Sequence, residues 1–456
     1  MFKHSFASVT RFPAFFALLI IFASAGALPA RAMPSFARQT GGACTLCHVG
    51  SFGPQLNDYG RQFKLNGYVW GDAKTPVPGL SAMALTSWTS TSKGQPGGAA
   101  PGFGDNNNFA LDQASLFYAG RIFAKVGAFV QGTYDGIGKV FTIDNVDVRF
   151  ADQGTLGGKP LVYGLSLNNN PTAQDLWNTT PAWGFPFTQS GLAPSPGAAS
   201  LIDGSLSQQV GGMTAYAMWN GLVFIDGGVY ATLPRRTQSA LGVDPDDENQ
   251  IKGAAPYWRA ALQHTWGPAY VAIGTFGMIA STFPGRDKSA GADRYSDLGF
   301  DATYQMQIGD RNSLVTGITY IHENQNLTAS KSLGLSDNSA DKLNTLRARA
   351  TYTLDNTYGI SAGIFNISGT QDIGIYAADP IDGGAAGRPN SNGYIFEATY
   401  TPFGKDSSWL SPWVNLRLAL QYTIYSKFNG GNLNYDGFGR NASDNNTLFA
   451  SAMFAF

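Results

Sequence analysis

The chain has 456 residues, of which 13% are charged and 13% aromatic, and 56 are glycine. Soluble proteins carry about 25% charged residues, and disordered chains are poor in aromatic residues, so neither class fits. The 30 Lys and Arg residues balance the 31 Asp and Glu residues without forming a basic stripe, which argues against a nucleic-acid partner. Low charge combined with many aromatic and glycine residues favours a β-protein in contact with lipid.

Residues 1–32 are predicted to be a secretory signal peptide. The segment has basic residues, no acidic residue and an apolar stretch from Pro13 to Pro29, and it ends in small residues at a cleavage-site spacing. A retained membrane anchor is the alternative. Cleavage leaves a mature chain that starts at Met33. No later run of 18 apolar residues could form a transmembrane helix, so we expect the mature chain to be exported and either to stay soluble or to form a barrel.

A cofactor-attachment motif follows the signal peptide. The only two cysteines, Cys44 and Cys47, form a C-x-x-C-H pattern with His48. This pattern attaches c-type haem through two thioether bonds, with the histidine as proximal iron ligand. A disulfide or thioredoxin-like pair lacks its βαβ context here, and a zinc site lacks a second ligand pair. The sequence therefore predicts one covalent haem c bound by Cys44, Cys47 and His48.

A helix is predicted directly after this motif. Pro54 is suited to its first position and Gly67 to its end, and Leu56, Tyr59 and Phe63 form an apolar stripe that would pack on haem. An ordinary amphipathic helix would show the same stripe. A segment of about 40 residues is too short to bury haem alone, so another part of the chain must cover the porphyrin.

Residues 81–456 are predicted to form sixteen antiparallel strands of a transmembrane β-barrel. Apolar and polar residues alternate, as a lipid-facing and water-filled barrel requires. One such run is Leu416, Arg417, Leu418, Ala419 and Leu420. A soluble β-sandwich also alternates, but it seldom has so many strands of about ten residues with so few charges.

The connections between the predicted strands alternate between short and long. Short periplasmic turns and long outer loops are the asymmetry expected of outer-membrane barrels. A short connection between strands 3 and 4, and long connections between strands 4 and 5 and strands 14 and 15, break this rule. The chain ends on an alternating strand at Phe456, which resembles the assembly signal of outer-membrane barrels.

Residues 33–75 are predicted to be a monohaem cytochrome c segment. Within it, Met33 to Trp70 resemble the fused outer-membrane cytochrome–porins, whose best-known members are iron oxidases of iron-oxidising bacteria. The similarity lies in Pro34–Gly41, the haem motif, Pro54–Leu56 and Tyr59–Tyr68. The barrel at 81–456 matches this family only in length, strand count and terminal phenylalanine. The resemblance implies a monohaem cytochrome that plugs a sixteen-stranded barrel in the bacterial outer membrane and takes electrons from extracellular Fe(II). Similar fusions serving other donors would share the motif.

A single haem can act as a relay across the membrane only from a position within or at the mouth of the barrel, because the hydrocarbon core is about 30 Å thick. A sixteen-stranded barrel leaves an aqueous interior wide enough for such a plug. Electrons would then pass to a soluble periplasmic c-type cytochrome. The acidic cluster Asp244–Glu248 falls in an outer loop, where it either attracts Fe²⁺ or is simply solvated.

The distal haem ligand is open in the sequence. Met83 follows the plug and is a candidate, although an ordinary barrel-packing role explains it as well. Met33, its free amine or an open iron site are the other possibilities. His264 and His322 share strand parity with outward apolar residues and are expected to face lipid.

Three functions are compatible with these features. The first is an electron conduit that oxidises extracellular Fe(II), and the second is a diffusion porin with a structural haem. The third is a conduit that runs outward and reduces extracellular acceptors. The first is favoured over the second because a passive pore has no use for covalent haem. The sequence does not separate the first function from the third, because the direction of electron flow follows from redox potentials and partners. With inward flow from iron, this electron-transfer protein would be an Fe(II) oxidase.

Overall fold

The computed structural model describes residues 35–71, 79–246, 249–411 and 413–456, so the predicted signal peptide at 1–32 lies outside the described residues. The strands form one closed antiparallel sheet, in which β1 pairs with both β2 and β17. They are β1 (Leu80–Thr91), β2 (Asn108–Phe123), β3 (Val126–Asp135), β4 (Val140–Leu156), β5 (Lys159–Asn168), β6 (Val210–Trp219), β7 (Val223–Thr232), β8 (Gln250–Ile251), β9 (Ala255–Trp266), β10 (Ala269–Phe283), β11 (Asp293–Ile308), β12 (Asn312–Asn326), β13 (Ala340–Leu354), β14 (Tyr358–Gly369), β15 (Ser391–Tyr400), β16 (Asn415–Lys427) and β17 (Thr447–Ala455).

The barrel has sixteen strand positions. The two-residue β8 and the longer β9 both pair with β10 and together fill one position. The last residue completes the closure, because the Phe456 and Ala82 backbones exchange two hydrogen bonds of 2.8 and 2.9 Å. The predicted sixteen-stranded antiparallel β-barrel is therefore confirmed.

The predicted alternation also holds. In β16, Arg417 is 5% exposed and points inward, whereas Leu420 is 51% exposed and points outward. Large apolar side chains cover the outside of the other strands in the same way, for example Ile360, which is 69% exposed. A closed sheet that leaves no edge unpaired, with an apolar exterior and a polar interior, is the architecture of a bacterial outer-membrane barrel.

The barrel has one rim with short connections and one with long connections, which we call the inner and outer rim. Exposed aromatic residues gather at the inner rim, as expected at a membrane interface. They include Phe123, Trp266, Tyr358, Tyr400 and Phe456. No described helix is long and apolar enough to cross a membrane.

One predicted exception among the connections is wrong. Strand β4 continues to Leu156 and β5 begins at Lys159, so only Gly157 and Gly158 separate them. Both glycines have positive φ angles, of 60° and 73°, which a tight hairpin turn requires. The turn between β3 and β4 is short, as predicted. The predicted connection between strands 14 and 15 is the one between β15 and β16, at residues 401–414, because the short β8 shifts the numbering by one. It is long, as predicted.

In the described part of the chain, four short helices accompany the sheet: α1 (Ser35–Thr40), α2 (Asp58–Leu65), α3 (Arg235–Ala240) and α4 (Thr328–Ser332). Helix α2 begins later than predicted. Its N-cap is Asn57, whose side chain accepts a hydrogen bond from the Gly60 amide, so Pro54 lies before the helix. Gly67 follows the helix with a φ angle of 73°, as predicted for a residue that ends it.

Two stretches of chain occupy the barrel interior. The first is the amino-terminal segment 35–71, and the second is the 169–209 connection between β5 and β6, which we call the inner loop. Leu176 and Trp177 of the inner loop pack in one apolar cluster with Leu65 of α2 and Phe224 of the barrel wall. The amino-terminal segment is thus held between the inner loop and the wall.

Candidate functional site

Helix α2 is fixed to the barrel interior by buried polar contacts. The Lys64 ammonium donates hydrogen bonds of 2.9 Å to the Ala173 carbonyl and the Asn178 side chain, both in the inner loop. The Tyr216 hydroxyl of β6 donates to the Leu65 carbonyl at 2.8 Å. A buried ammonium needs such partners, because an unpaired charge in this environment is costly.

A buried ion pair supports the end of the same helix. Arg149 and Asp147 of β4 lie 2.8 Å apart and are almost completely buried. The Arg149 guanidinium also donates to the Lys64 carbonyl at 3.2 Å, and the Tyr68 hydroxyl donates to Asp147 at 2.7 Å. Loss of one partner would leave the other charge buried and unpaired.

The C-x-x-C-H motif forms a compact turn. A single 3₁₀ turn covers Cys44–Leu46, and the amides of Cys47 and His48 donate to the Cys44 carbonyl at 3.1 and 2.9 Å. Asn57 ties this turn to α2, because its side chain donates to the Thr45 carbonyl at 3.0 Å. The Asn57 amide donates to the Cys47 carbonyl, also at 3.0 Å. The two cysteines are free.

Helix α2 lies directly against the motif at Gly60. A Cβ atom at this position would be 2.3 Å from the Cys47 carbonyl oxygen. The close approach therefore requires glycine. In and just before α2, the residues that line the interior cavity are Leu56, Gly60, Phe63 and Lys64. Tyr59 of the predicted stripe is not among them, because its ring packs edge-on against Trp70.

The long 401–414 turn at the inner rim and the adjoining Asn415 bind the motif from the inner-rim side. The Thr45 amide donates to the Gly404 carbonyl at 3.2 Å. The Asn415 side chain donates to the Ser51 carbonyl at 2.8 Å and lies 3.3 Å from the Cys44 sulfur. This long turn thus supports the amino-terminal segment, a role that the sequence pattern alone does not indicate.

Both cysteines and His48 line a cavity of about 950 Å³ inside the barrel. This volume lies at the upper end of the range of about 300–1,000 Å³ for ligand and cofactor pockets. Aromatic side chains line several parts of its wall. They are Phe36, Phe52, Phe63, Tyr68, Phe117, Phe129, Trp183 and Phe187. A large planar apolar group would find stacking partners on several sides.

The titratable groups of the motif are half-buried and face the cavity. Burial raises the pKa of Cys44 to about 11 and that of Cys47 to about 12, and it lowers the pKa of His48 to about 4. At neutral pH the cysteines are thiols and the imidazole is neutral. A neutral imidazole is the form that binds a metal.

Met83 of β1 lines the same cavity and is half-buried. A second methionine on the wall, Met453 of the neighbouring β17, was not identified from the sequence and is 2% exposed. His264 faces outward and stacks on Trp266, and His322 lies between the inward residues Ile321 and Glu323. The expectation that both histidines point away from the lumen is confirmed.

The acidic cluster at 244–248 is only partly described, since Asp247 and Glu248 lie outside the described residues. Asp246 forms an exposed ion pair with Arg235 and its amide donates to Asp244 at 3.0 Å. Within residues 35–71, 79–246, 249–411 and 413–456, no group of three or more His, Cys, Asp or Glu side chains is arranged to hold a metal ion.

No family model and no curated protein matches the chain. Among solved structures, OprB of Pseudomonas putida is 13% identical, with a TM-score of 0.46 over 82% of this chain and 93% of that one. The anion-selective porin from Comamonas acidovorans is 12% identical, with a TM-score of 0.45 over 83% and 98%. The outer membrane channel DcaP of Acinetobacter baumannii is 10% identical, with a TM-score of 0.44 over 83% and 96%. From its own strand pairing and lipid-facing exterior, the chain is a porin-like β-barrel of the bacterial outer membrane.

Proposed function

We propose that this protein carries electrons across the outer membrane through one covalent c-type haem. Extracellular Fe(II) would be the electron donor, and a periplasmic c-type cytochrome would be the acceptor. The observation that carries the proposal is the position of Cys44, Cys47 and His48 on the wall of a cavity inside a closed barrel. When bound, a haem supplies a one-electron carrier at that position.

The residues present fit such a group. The two thiols would form the thioether bonds, and the neutral His48 imidazole would be the proximal ligand. A buried Nδ1 atom of His48 has no hydrogen-bond partner among the described residues. The aromatic wall and the inner loop would shield the porphyrin that the short amino-terminal segment cannot cover alone.

The chain's own residues would control access to the haem. The inner loop and α2 exclude bulk water from one side, and the contacts of Lys64, Arg149 and Tyr216 hold the segment in register with the wall. The 401–414 turn binds the motif through the hydrogen bond between the Thr45 amide and the Gly404 carbonyl at the inner rim. A soluble periplasmic partner would accept electrons from this side. No general acid, base or nucleophile is required, since Fe(II) loses only one electron and leaves as Fe(III).

Anaerobic addition of Fe(II) to the purified, oxidised protein tests the proposal. We expect the haem absorbance to change to that of the reduced form, and a periplasmic c-type cytochrome added afterwards to be reduced in turn. An oxidised spectrum that persists in excess Fe(II), while dithionite reduces the same sample, would remove iron as the donor. Reduction of the haem by a periplasmic cytochrome and its reoxidation by extracellular Fe(III) would instead support the outward conduit.

A diffusion porin with a structural haem is the second candidate. The cavity extends from the inner rim at Cys44 to the outer rim at Ile137 and Val140, which is the observation in its favour. Against it, the amino-terminal segment and the inner loop both occupy the interior. Liposome swelling in small sugars separates the two functions, because a conducting porin swells its liposomes rapidly.

A further inference from the structure

Three aspartates lie where the cavity approaches the outer rim. Asp112 is on β2, Asp135 is the last residue of β3, and Asp144 is on β4, and all three line the cavity that contains the C-x-x-C-H motif. In the β2–β3 register Gln113 pairs with Asp135, so Asp112 is next to this pair. The three carboxylates thus come from three adjacent strands.

Two of these aspartates occupy β-bulges. Between β1 and β2 the register passes from Gln113 to Leu111 and leaves Asp112 without a partner. Between β3 and β4 it passes from Asn145 to Ile143 and leaves Asp144 without a partner. A bulge inserts an extra residue and redirects its side chain, and bulges are frequent beside functional sites. Here each bulge brings an aspartate to the cavity together with an amide neighbour, Gln113 or Asn145.

The negative charge of the trio is not neutralised by nearby cations. None of the three carboxylates forms an ion pair with any residue in the described part of the chain. Asp112 is 9% exposed, and its Oδ1 accepts a hydrogen bond from Ser87 at 3.0 Å, but its buried Oδ2 has no partner there. The other charged side chains on the cavity wall are Lys64, which is bonded to the inner loop, and Asp147, which is paired with Arg149.

We propose that Asp112, Asp135 and Asp144 attract a hydrated divalent cation to the outer end of the cavity through their charge, without acting as a set of direct metal ligands. Carboxylate oxygens suit a hard divalent ion, and the unsatisfied Asp112 Oδ2 supplies a buried acceptor. Because no closed set of ligands is formed, the ion keeps its water and binds reversibly. If the proposed function holds, this ion is the substrate Fe²⁺, which rests here before it gives its electron to the haem.

Binding of Mn²⁺ tests the site independently of electron transfer. Titration of the purified full-length protein, followed by the electron paramagnetic resonance signal of free Mn²⁺, should show binding to the unmodified protein. The double variant D112N/D144N should bind about tenfold more weakly, because two unit charges near the ion are removed. The single variant D112E retains the charge and should bind close to the original strength. Asp152, which pairs with Lys125 near the inner rim, provides the control D152N, with unchanged binding.

The possible results separate the cation site from the proposed function. Equal Mn²⁺ affinity in D112N/D144N and the unmodified protein, with both folded by haem content and gel mobility, would overturn the site. Weakened Mn²⁺ binding in D112N/D144N without any haem reduction by Fe(II) in the unmodified protein would keep the site and remove iron oxidation. If both hold, the double variant should be reduced more slowly by Fe²⁺ but at the normal rate by an uncharged hydroquinone.

Discussion

At the scale of single residues, the cavity wall offers two methionines as distal haem ligands. Met83 is half-buried, whereas Met453 on the neighbouring strand is 2% exposed and packed within the wall. Met83 is therefore freer to turn its sulfur towards a group in the cavity. Methionine ligation raises the reduction potential of haem, which would help it accept electrons from iron.

We expect M83L to lower the reduction potential of the haem and to change its oxidised absorbance spectrum, because leucine fills similar space without a ligating sulfur. M453L is the matched control and should leave the potential and spectrum unchanged. A spectroelectrochemical titration of both variants measures the effect. An unchanged haem reduction potential in M83L, or a lower potential found only in M453L, would contradict Met83 as the distal ligand.

Gly60 makes the second prediction at this scale. A side chain here would be forced into the Cys47 carbonyl, which is part of the backbone and has little room to move. We expect G60A to lower the yield of covalently attached haem, measured by haem staining of denaturing gels. Gly197 of the inner loop has no atom within 4 Å of its ideal Cβ position, so G197A should load haem normally.

At the scale of elements, the anchoring of α2 depends on the Asp147–Arg149 pair. Replacement of Asp147 by alanine leaves Arg149 buried and unpaired, which we expect to cost about 3–5 kcal/mol. Y216F removes one hydrogen bond to the Leu65 carbonyl and should cost only about 0.5–1.5 kcal/mol. The urea midpoint of barrel unfolding, with limited proteolysis of the amino-terminal segment, measures both. If D147A and Y216F have similar urea midpoints and are cleaved at similar rates in the amino-terminal segment, the ion pair does not fix that segment.

The strands are predictable because the membrane requires each of them to alternate apolar residues facing lipid with polar residues facing the interior. Alternating apolar and polar residues identify β16 from its leucines, and a glycine pair identifies the β4–β5 turn once the strands are extended to their true ends. The start of α2 is misplaced by the sequence because Pro54 is a general helix-start signal, whereas the Asn57 cap depends on its contact with the Gly60 amide.

The cavity is predictable only in part. Cys44, Cys47 and His48 form a local motif whose chemistry is contained in its spacing. By contrast, Asp112 and Asp144 break the alternation of their strands, and a bulge residue reads as an irregularity until the neighbouring strand is known. Contacts such as Asn415 with the Cys44 sulfur join residues far apart in the chain, and no local pattern marks them.

At the scale of the whole molecule, the amount of open space left in the barrel interior determines whether the protein can conduct solutes or only electrons. The amino-terminal segment and the inner loop fill part of the interior, where Leu65 and Trp177 pack with Phe224 of the barrel wall. A cavity of about 950 Å³, lined in part by the haem motif, remains beside them. A haem bound there would take up a large share of this volume. The loaded barrel should therefore be a poor channel for neutral solutes.

We expect liposomes that contain the haem-loaded protein to swell slowly in an isosmotic pentose, compared with liposomes that contain an open general-diffusion porin. A C44A/C47A variant removes the covalent attachment without changing the barrel wall. Its cavity should stay more open, so its liposomes should swell faster, and it should no longer transfer electrons from external Fe(II) to a cytochrome enclosed in the vesicle. If the loaded protein already swells its liposomes as fast as the open porin, the interior is a pore rather than a plug, and electron transport ceases to be the reason for this architecture.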